Sequence, residues 1–133
     1  MNIAIIGSGG REHALAYKLI DSDKLQHLYI LPGNPGTAKL GENVKLDTNE
    51  NSAVLKFCQQ NNVDLVVIGP ERPLVNGLSD LLRSNSINVF GPNSNAARIE
   101  SEKSYAKKLM KKYKIPTADY LEYSSEEYSQ ALD

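Results

Sequence analysis

Apolar runs that stop at glycine, with segments of helical period between them, constrain this chain more than any other feature. Residues 3–6 run into Gly7, residues 28–31 into Pro32-Gly33, residues 63–68 into Gly69-Pro70, and residues 88–90 into Gly91-Pro92. A short apolar run ended by a backbone breaker is the pattern of a strand buried on both faces. Between these runs, residues 11–21 place Ala14, Leu15, Leu19 and Ile20 at helical spacing. Residues 51–60 read as a second helix, and Pro73 suits the first turn of a third that reaches about residue 84. Residues 44–46 are a candidate short strand. Strand and helix in alternation predict an α/β fold with a doubly wound parallel sheet. Right-handed crossovers then bring the strand-end loops to one edge of the sheet. Open α/β sheets bind their ligands at that carboxyl edge.

Beyond Pro92 the texture changes. Residues 93–113 are helical in pattern, with a junction expected near Ser101. Ile115-Pro116-Thr117 breaks the helix, residues 120–123 are a candidate strand, and Ser124-Ser125-Glu126-Glu127 resembles a helix start. The reading is a first domain over residues 1–100 and the truncated start of a second over residues 101–133.

Composition excludes several function classes. The formal net charge is −1, and the basic residues between Lys103 and Lys114 read as a solvated helix face. Nucleic acid is not the expected partner, since phosphate-backbone binding needs clustered Lys and Arg. A single cysteine, Cys58, rules out a disulfide framework and reads as a small buried hydrophobe. No apolar run approaches membrane-spanning length, and the opening residues lack the basic region of a signal peptide. No membrane partner and a cytoplasmic location are therefore the expectations.

The chemistry is expected in the loops. Gly7-Ser8-Gly9-Gly10-Arg11-Glu12-His13 follows the first strand and opens a helix. Such a turn exposes unpaired backbone N–H groups where the helix dipole is positive, which suits phosphate. Arg11 adds a fork for bidentate contact. The loop also serves simply to close a strand–helix turn, and that plain alternative stays open. A dinucleotide fingerprint requires G-x-G-x-x-G and an acid about twenty residues on. Here Glu12 stands in the third glycine's place, and the second strand ends without an acid. Both departures weigh against NAD; a nucleotide-binding oxidoreductase module stays as an alternative, as does a non-enzymatic interaction domain. His13 either orients a substrate group or satisfies backbone, and Glu12 suits a first turn whatever it binds. Zinc is not supported, since the only other histidine is His27 and no paired spacing exists.

The second loop is Pro32-Gly33-Asn34-Pro35-Gly36-Thr37. Its prolines stiffen it, its glycines permit close approach, and Asn34 and Thr37 carry hydrogen-bonding side chains. The third is Gly69-Pro70-Glu71-Arg72-Pro73-Leu74, where Glu71 stands at the carboxyl edge and either meets ribose hydroxyls or an amine, or is an exposed acid at a helix start. Gly91-Pro92-Asn93 is a fourth loop on the same edge.

Taken in order and spacing, these segments resemble one family, the phosphoribosylamine–glycine ligases of the ATP-grasp superfamily. The resemblance rests on Gly7-Ser8-Gly9-Gly10-Arg11-Glu12-His13-Ala14, Pro32-Gly33-Asn34-Pro35-Gly36-Thr37-Ala38, Val67-Ile68-Gly69-Pro70-Glu71 with Pro73-Leu74, and Val89-Phe90-Gly91-Pro92. Lys103 with Ala106-Lys107, and Ile115-Pro116-Thr117-Ala118, extend it over essentially the whole chain. It implies a pre-ATP-grasp domain followed by the start of an ATP-grasp domain. It implies a reaction in which the carboxylate of glycine takes the γ-phosphoryl group of ATP and the phosphoribosylamine nitrogen attacks the acyl phosphate. The products are glycinamide ribonucleotide, ADP and phosphate.

By that likeness, Gly9, Gly10, Arg11, Glu12, His13, Asn34, Pro35, Gly36, Thr37 and Glu71 hold phosphoribosylamine, and Lys103 contacts ATP. The full enzyme would use ATP with magnesium or manganese, bound mainly by the remainder of the ATP-grasp domain. This portion would carry no catalytic or metal-binding residue, need no cofactor of its own, and be inactive alone. One departure stands out: where the family often reads Glu-Gly-Ser-Lys, this chain reads Glu100-Ser101-Glu102-Lys103. An acid beside a phosphate-binding lysine opposes that role unless it points elsewhere.

Overall fold

The first strand, β1 (Asn2–Gly7), is the centre of the sheet. Its residues 3–7 are all buried, with Ile3 and Ile5 facing one side and Ala4 and Ile6 the other. In a computed structural model that describes residues 1–124 and Glu126, the chain continues as α1 (Gly10–Leu19), β2 (His27–Pro32) and a 3₁₀ turn (Thr37–Lys39). After these come β3 (Glu42–Asn43), α2 (Asn51–Gln60), β4 (Leu65–Ile68), α3 (Glu71–Val75), α4 (Leu78–Ser84) and β5 (Asn88–Phe90). Helices α5 (Ser94–Ser101) and α6 (Lys103–Lys112) follow.

The five strands form one sheet in the order β3-β2-β1-β4-β5, every pair parallel. Helix α1 covers one face, where Ile3, Ile5, Leu28, Ile30 and Val67 pack with Ala16. The opposite face packs Ala4, Ile6, Leu31, Val66 and Ile68 against Val54 and Cys58 of α2 and Leu78 and Leu82 of α4. Every second residue of β1 serves a different layer, so the continuous apolar run is explained by a sheet buried on both sides. Fully burying a side chain such as Ile5, Ile6 or Leu31 contributes about 1.5–3 kcal/mol each. Cys58 is 1% exposed and packs as a hydrophobe.

Strand order reverses at β1. The chain leaves β1 to form β2 and β3 on one side, then returns to place β4 on the other. That reversal opens a crevice at the carboxyl ends of β1 and β4, the usual ligand position in open α/β sheets.

Several local expectations are corrected. Residues 44–46 are not a strand. The paired residues are Glu42 and Asn43, alongside Tyr29 and Ile30. Val44 N–H closes the ladder by donating to Ile30 O at 2.9 Å, and the Val44 and Leu46 side chains pack against the core. The helix expected from Pro73 to residue 84 is two helices, because Gly77 adopts a left-handed φ of 81° between α3 and α4. The helical stretch after Pro92 does break near Ser101, as expected, with Glu102 between the two helices. Residues 120–123 carry no strand: no partner ladder meets them among the described residues, and a strand exists only by pairing. The helix start at residues 124–127 lies largely outside the described residues.

The chain divides into two units, Met1–Ala97 and Arg98–Asp133. In the first, Asp80 accepts the Ser94 amide at 2.8 Å, and Asn93 accepts that of Ala96 at 2.8 Å. These bonds occupy amides at the start of α5. In the second, Lys107 Nζ donates to the Thr117 hydroxyl at 2.7 Å and to the Ala118 carbonyl at 2.8 Å. This lysine ties the segment after Pro116 back to α6. Among the described residues no helix is long and apolar enough to cross a membrane.

Candidate functional site

The loops leaving β1, β2 and β4 are bonded to one another. Gly33 N–H donates to Gly7 O at 3.2 Å, and Gly69 N–H donates to Ile6 O at 3.1 Å. Asn34 Nδ2 donates to Ser8 O at 2.9 Å, and Arg11 Nη1 donates to Gly69 O. The glycine loop after β1 is thus held between its two neighbours at the switch point of the sheet.

Within that loop, Ser8, Gly9, Gly10 and Arg11 are exposed. Gly9 N–H is taken by Glu12 Oε2 at 2.6 Å, and His13 N–H by Gly9 O at 3.1 Å. Among the described residues the amides of Ser8, Gly10 and Arg11 have no protein acceptor. They leave a row of donors at the start of α1, where the dipole favours an anion. Arg11 spends one guanidinium N–H on Gly69 O and keeps the rest of its five for another acceptor.

Glu12 is placed differently from the open rim. It is 6% exposed, and its side chain lies under Gly7, Gly9 and Gly69. A Cβ on Gly69 would collide with Glu12 Oε1 and approach Cδ to 2.7 Å. This carboxylate fills the space between the β1 and β4 loops and fixes the Gly9 amide. His13 is half-buried with its ring against Gly36, so that a Cβ on Gly36 would come within 2.8 Å of Nδ1.

The second loop is built around Asn34. Its Oδ1 accepts the amides of Gly36 at 2.8 Å and Thr37 at 3.0 Å, an internal turn closed by a side chain. With one Nδ2 hydrogen on Ser8, the side chain keeps one N–H. Thr37 is fully buried: its hydroxyl accepts Asn34 N–H at 2.8 Å and lies 2.7 Å from Asn43 Oδ1. Its polar atoms serve the loop itself. Pro35 is exposed at the tip, and Glu71 is exposed in the first turn of α3, next to the β4 exit. Asn43, which no sequence pattern singles out, braces this loop from β3.

The fourth loop is latched from α4. Ser79 donates its hydroxyl proton to Pro92 O at 2.6 Å, and Arg83 donates to Val89 O at 3.2 Å and to Gly91 O.

In the second unit, Lys103 is exposed in the first turn of α6. The neighbouring Glu102 is turned onto Arg98, with Nε–Oε1 and Nη2–Oε2 contacts of 2.9 Å each. Arg98's hydrogen bond holds the Glu102 carboxyl below the usual carboxylate range. The Arg98 guanidinium also lies 4.1 Å from the centre of the Tyr105 ring. A hollow of about 320 Å³ in this unit is lined by Lys103, Ser104, Lys107, Tyr120 and Glu122, among others. Among the described residues no group of three His, Cys, Asp or Glu side chains could hold a metal ion.

Sequence and structure comparisons match this chain to known proteins. Residues 1–100 match the family model described as phosphoribosylglycinamide synthetase, N domain. The chain is 53% identical over 120 residues to a phosphoribosylamine–glycine ligase of Mesorhizobium japonicum, covering 90% of this chain and 28% of that protein. It is 46% identical over 131 residues to the enzyme of the same name from Rhizobium meliloti, covering 98% of this chain and 31% of the relative. A crystal structure of phosphoribosylamine–glycine ligase from Thermotoga maritima superposes with a TM-score of 0.69 at 30% identity. That match covers 99% of this chain and 30% of the solved one. The chain spans about 30% of the length of the curated relatives it matches. With its β1-to-β5 sheet and glycine loops falling inside the matched segment, this chain belongs to the phosphoribosylglycinamide synthetase N-domain family.

Proposed function

We propose that this chain is the amino-terminal, substrate-binding part of an ATP-dependent ligase that joins glycine to 5-phosphoribosylamine in purine biosynthesis. The observation that carries the proposal is the meeting of the β1, β2 and β4 loops at the switch point, with free amides and Arg11 on the rim. A phosphate ester is the ligand such a rim suits. It brings acceptors to the amides of Ser8, Gly10 and Arg11, and the guanidinium supplies the opposite charge. Charge-assisted hydrogen bonds contribute about 1.5–3 kcal/mol each.

Site roles then divide. The amides of Ser8, Gly10 and Arg11 form the anion shelf, and Gly9 lies within it with its own amide fixed from beneath by Glu12. Asn34, with one N–H in hand, and the exposed Glu71 are placed for ribose hydroxyls or the amine. Pro35, Gly36, Thr37 and His13 shape the neighbouring wall. Lys103 is the proposed ATP contact. The turn of Glu102 onto Arg98 removes the objection that an adjacent acid would oppose it. The boundary between the substrate domain and the start of the ATP-grasp domain is placed near residue 100.

Phosphoryl transfer from ATP to the glycine carboxylate, and attack by the ribosylamine nitrogen, are assigned to the longer enzyme. When bound there, magnesium would neutralise the transferring phosphoryl group. The described residues offer no donor set for it, so no step here runs through the metal. What this portion does is orient the amine-bearing sugar phosphate.

Calorimetric titration with ribose 5-phosphate and with glycinamide ribonucleotide tests the reading. Binding by the parent chain, weakened at least tenfold (~1.4 kcal/mol) by Arg11→Ala, is the expected result. No binding by the parent chain, or full affinity after Arg11→Ala, would overturn it. Binding of NAD(H) instead would favour the dinucleotide alternative, which Glu12 under the loop disfavours. ATP turnover by this chain alone would refute its non-catalytic role.

A further inference from the structure

We infer that Asn43, at the edge of the sheet, is a positioning residue for the ligand rim: its carboxamide sets the β2 loop, and through Asn34 sets the glycine loop after β1. This rests on the reading of that rim as the sugar-phosphate site.

The two ends of the Asn43 side chain do different work. Nδ2 donates to Asn34 O at 2.7 Å, and Oδ1 accepts from the Thr37 hydroxyl at 2.7 Å. Gly33, at a φ of +75°, lies directly against the same carboxamide; a Cβ there would collide with Oδ1 and stand 2.9 Å from Nδ2. One side chain thereby fixes three residues of the Gly33–Thr37 turn. Asn34 Oδ1 closes on Gly36 and Thr37, and Nδ2 reaches Ser8 O at 2.9 Å. The path from β3 to the anion shelf is therefore a chain of hydrogen bonds, Asn43 to Asn34 to Ser8.

Asn43 has a geometric requirement that few residues meet. It must donate on one side and accept on the other, within a space bounded by a glycine. Aspartate has the same shape but presents an acceptor to Asn34 O. A shelf of amides binds well only when its donors are held close to productive positions, so a loosened brace is read as lost affinity.

The test uses ¹⁵N-labelled chain with Asn43→Ala and the isosteric Asn43→Asp, titrated with ribose 5-phosphate, together with Asn34→Ala and the double variant. Both Asn43 variants are expected to weaken ribose 5-phosphate about tenfold. They are also expected to shift the amide signals of Ser8, Gly9 and Gly10, while the β1 and β4 core signals stay in place. The Asn43→Ala and Asn34→Ala effects on affinity should be markedly less than additive, since they act in series. A lowered melting temperature with unchanged affinity and unchanged Ser8–Gly10 signals would reduce Asn43 to an edge-strand brace and overturn the inference. If the parent chain binds no sugar phosphate, the proposed function fails, and Asn43 is then judged by the Ser8–Gly10 signals alone.

Discussion

Replacing Gly69 with alanine should damage this fold through a residue far away in sequence. The added methyl would collide with Glu12 Oε1 and stand 2.7 Å from Cδ and 2.9 Å from Cγ. Glu12 cannot step aside into solvent, since it is 6% exposed and bounded by Gly7 and Gly9. Forcing it out costs the strain of an overpacked site, about 1–3 kcal/mol. It also breaks the Gly9 N–H to Oε2 bond of 2.6 Å, a charge-assisted bond whose loss costs about 1.5–3 kcal/mol. The sum is about 2.5–6 kcal/mol, which lowers the melting temperature of a domain near 100 residues by roughly 10–30 °C. Glu12→Ala alone loses the hydrogen bond and leaves a hole, about 2–4 kcal/mol. With Glu12 already truncated, the three atoms nearest the methyl at residue 69 are gone, and its added cost is expected to fall to about zero. Urea unfolding followed at the amide signals of Ile5 and Val67 reads all four corners of this cycle. A coupling of about 2.5–6 kcal/mol, the whole cost of Gly69→Ala in the parent chain, is expected. If the two single costs simply add, Glu12 is not what Gly69 makes room for, and the account of the buried carboxylate is wrong.

Two further outcomes follow from titratable groups. Burial pushes the Cys58 thiol from 9.0 up to about 11. Native chain at pH 8 should therefore resist a thiol reagent that labels it fully in urea. Because the unfolded thiol ionises first, stability should fall as pH rises from about 9 toward 11, and the fall should be smaller in Cys58→Ala. Rapid native labelling would contradict the burial. At the other end of the chain, the Arg98 hydrogen bond holds the Glu102 carboxyl below its ordinary range. In Arg98→Ala, its NMR titration should move back up. In the parent chain any stability from the pair is present above the unfolded carboxyl's pKa and fades as pH falls through the lowered one. The pair is exposed, so the melting temperature should hardly change. An unmoved titration would sink the pairing.

Elements bounded by strong local signals were readable in the sequence. The α2 segment Asn51–Gln60 and the β5 segment Asn88–Phe90 match their expected limits, because periodicity and the Gly91-Pro92 stop are local properties. β3 was misplaced by its neighbours Val44 and Leu46, since a two-residue edge strand is defined by what Tyr29 and Ile30 pair with. The α3–α4 break required knowing that Gly77 takes a left-handed φ of 81°. Within the candidate site, the glycine loops and Arg11 were legible as chemistry. Thr37 and Asn34 looked like ligand contacts, yet most of their polar atoms close the loop. Asn43 carried no signal at all: a lone asparagine acquires meaning only when Gly33 is folded against it.

By itself the sequence determined the layered α/β architecture, because buried parallel strands must be apolar throughout and their exits must be turns. It also determined that the polar, glycine-rich loops lie at those exits, since backbone breakers and strand ends coincide. Only the tertiary structure decided that β4 returns beside β1, and so which exits become neighbours. It alone placed Glu12 beneath Gly69 and linked Asn43 to Ser8 through Asn34. Strand propensity and loop composition act within a few residues, whereas a shared space between distant loops is set by packing of the whole sheet.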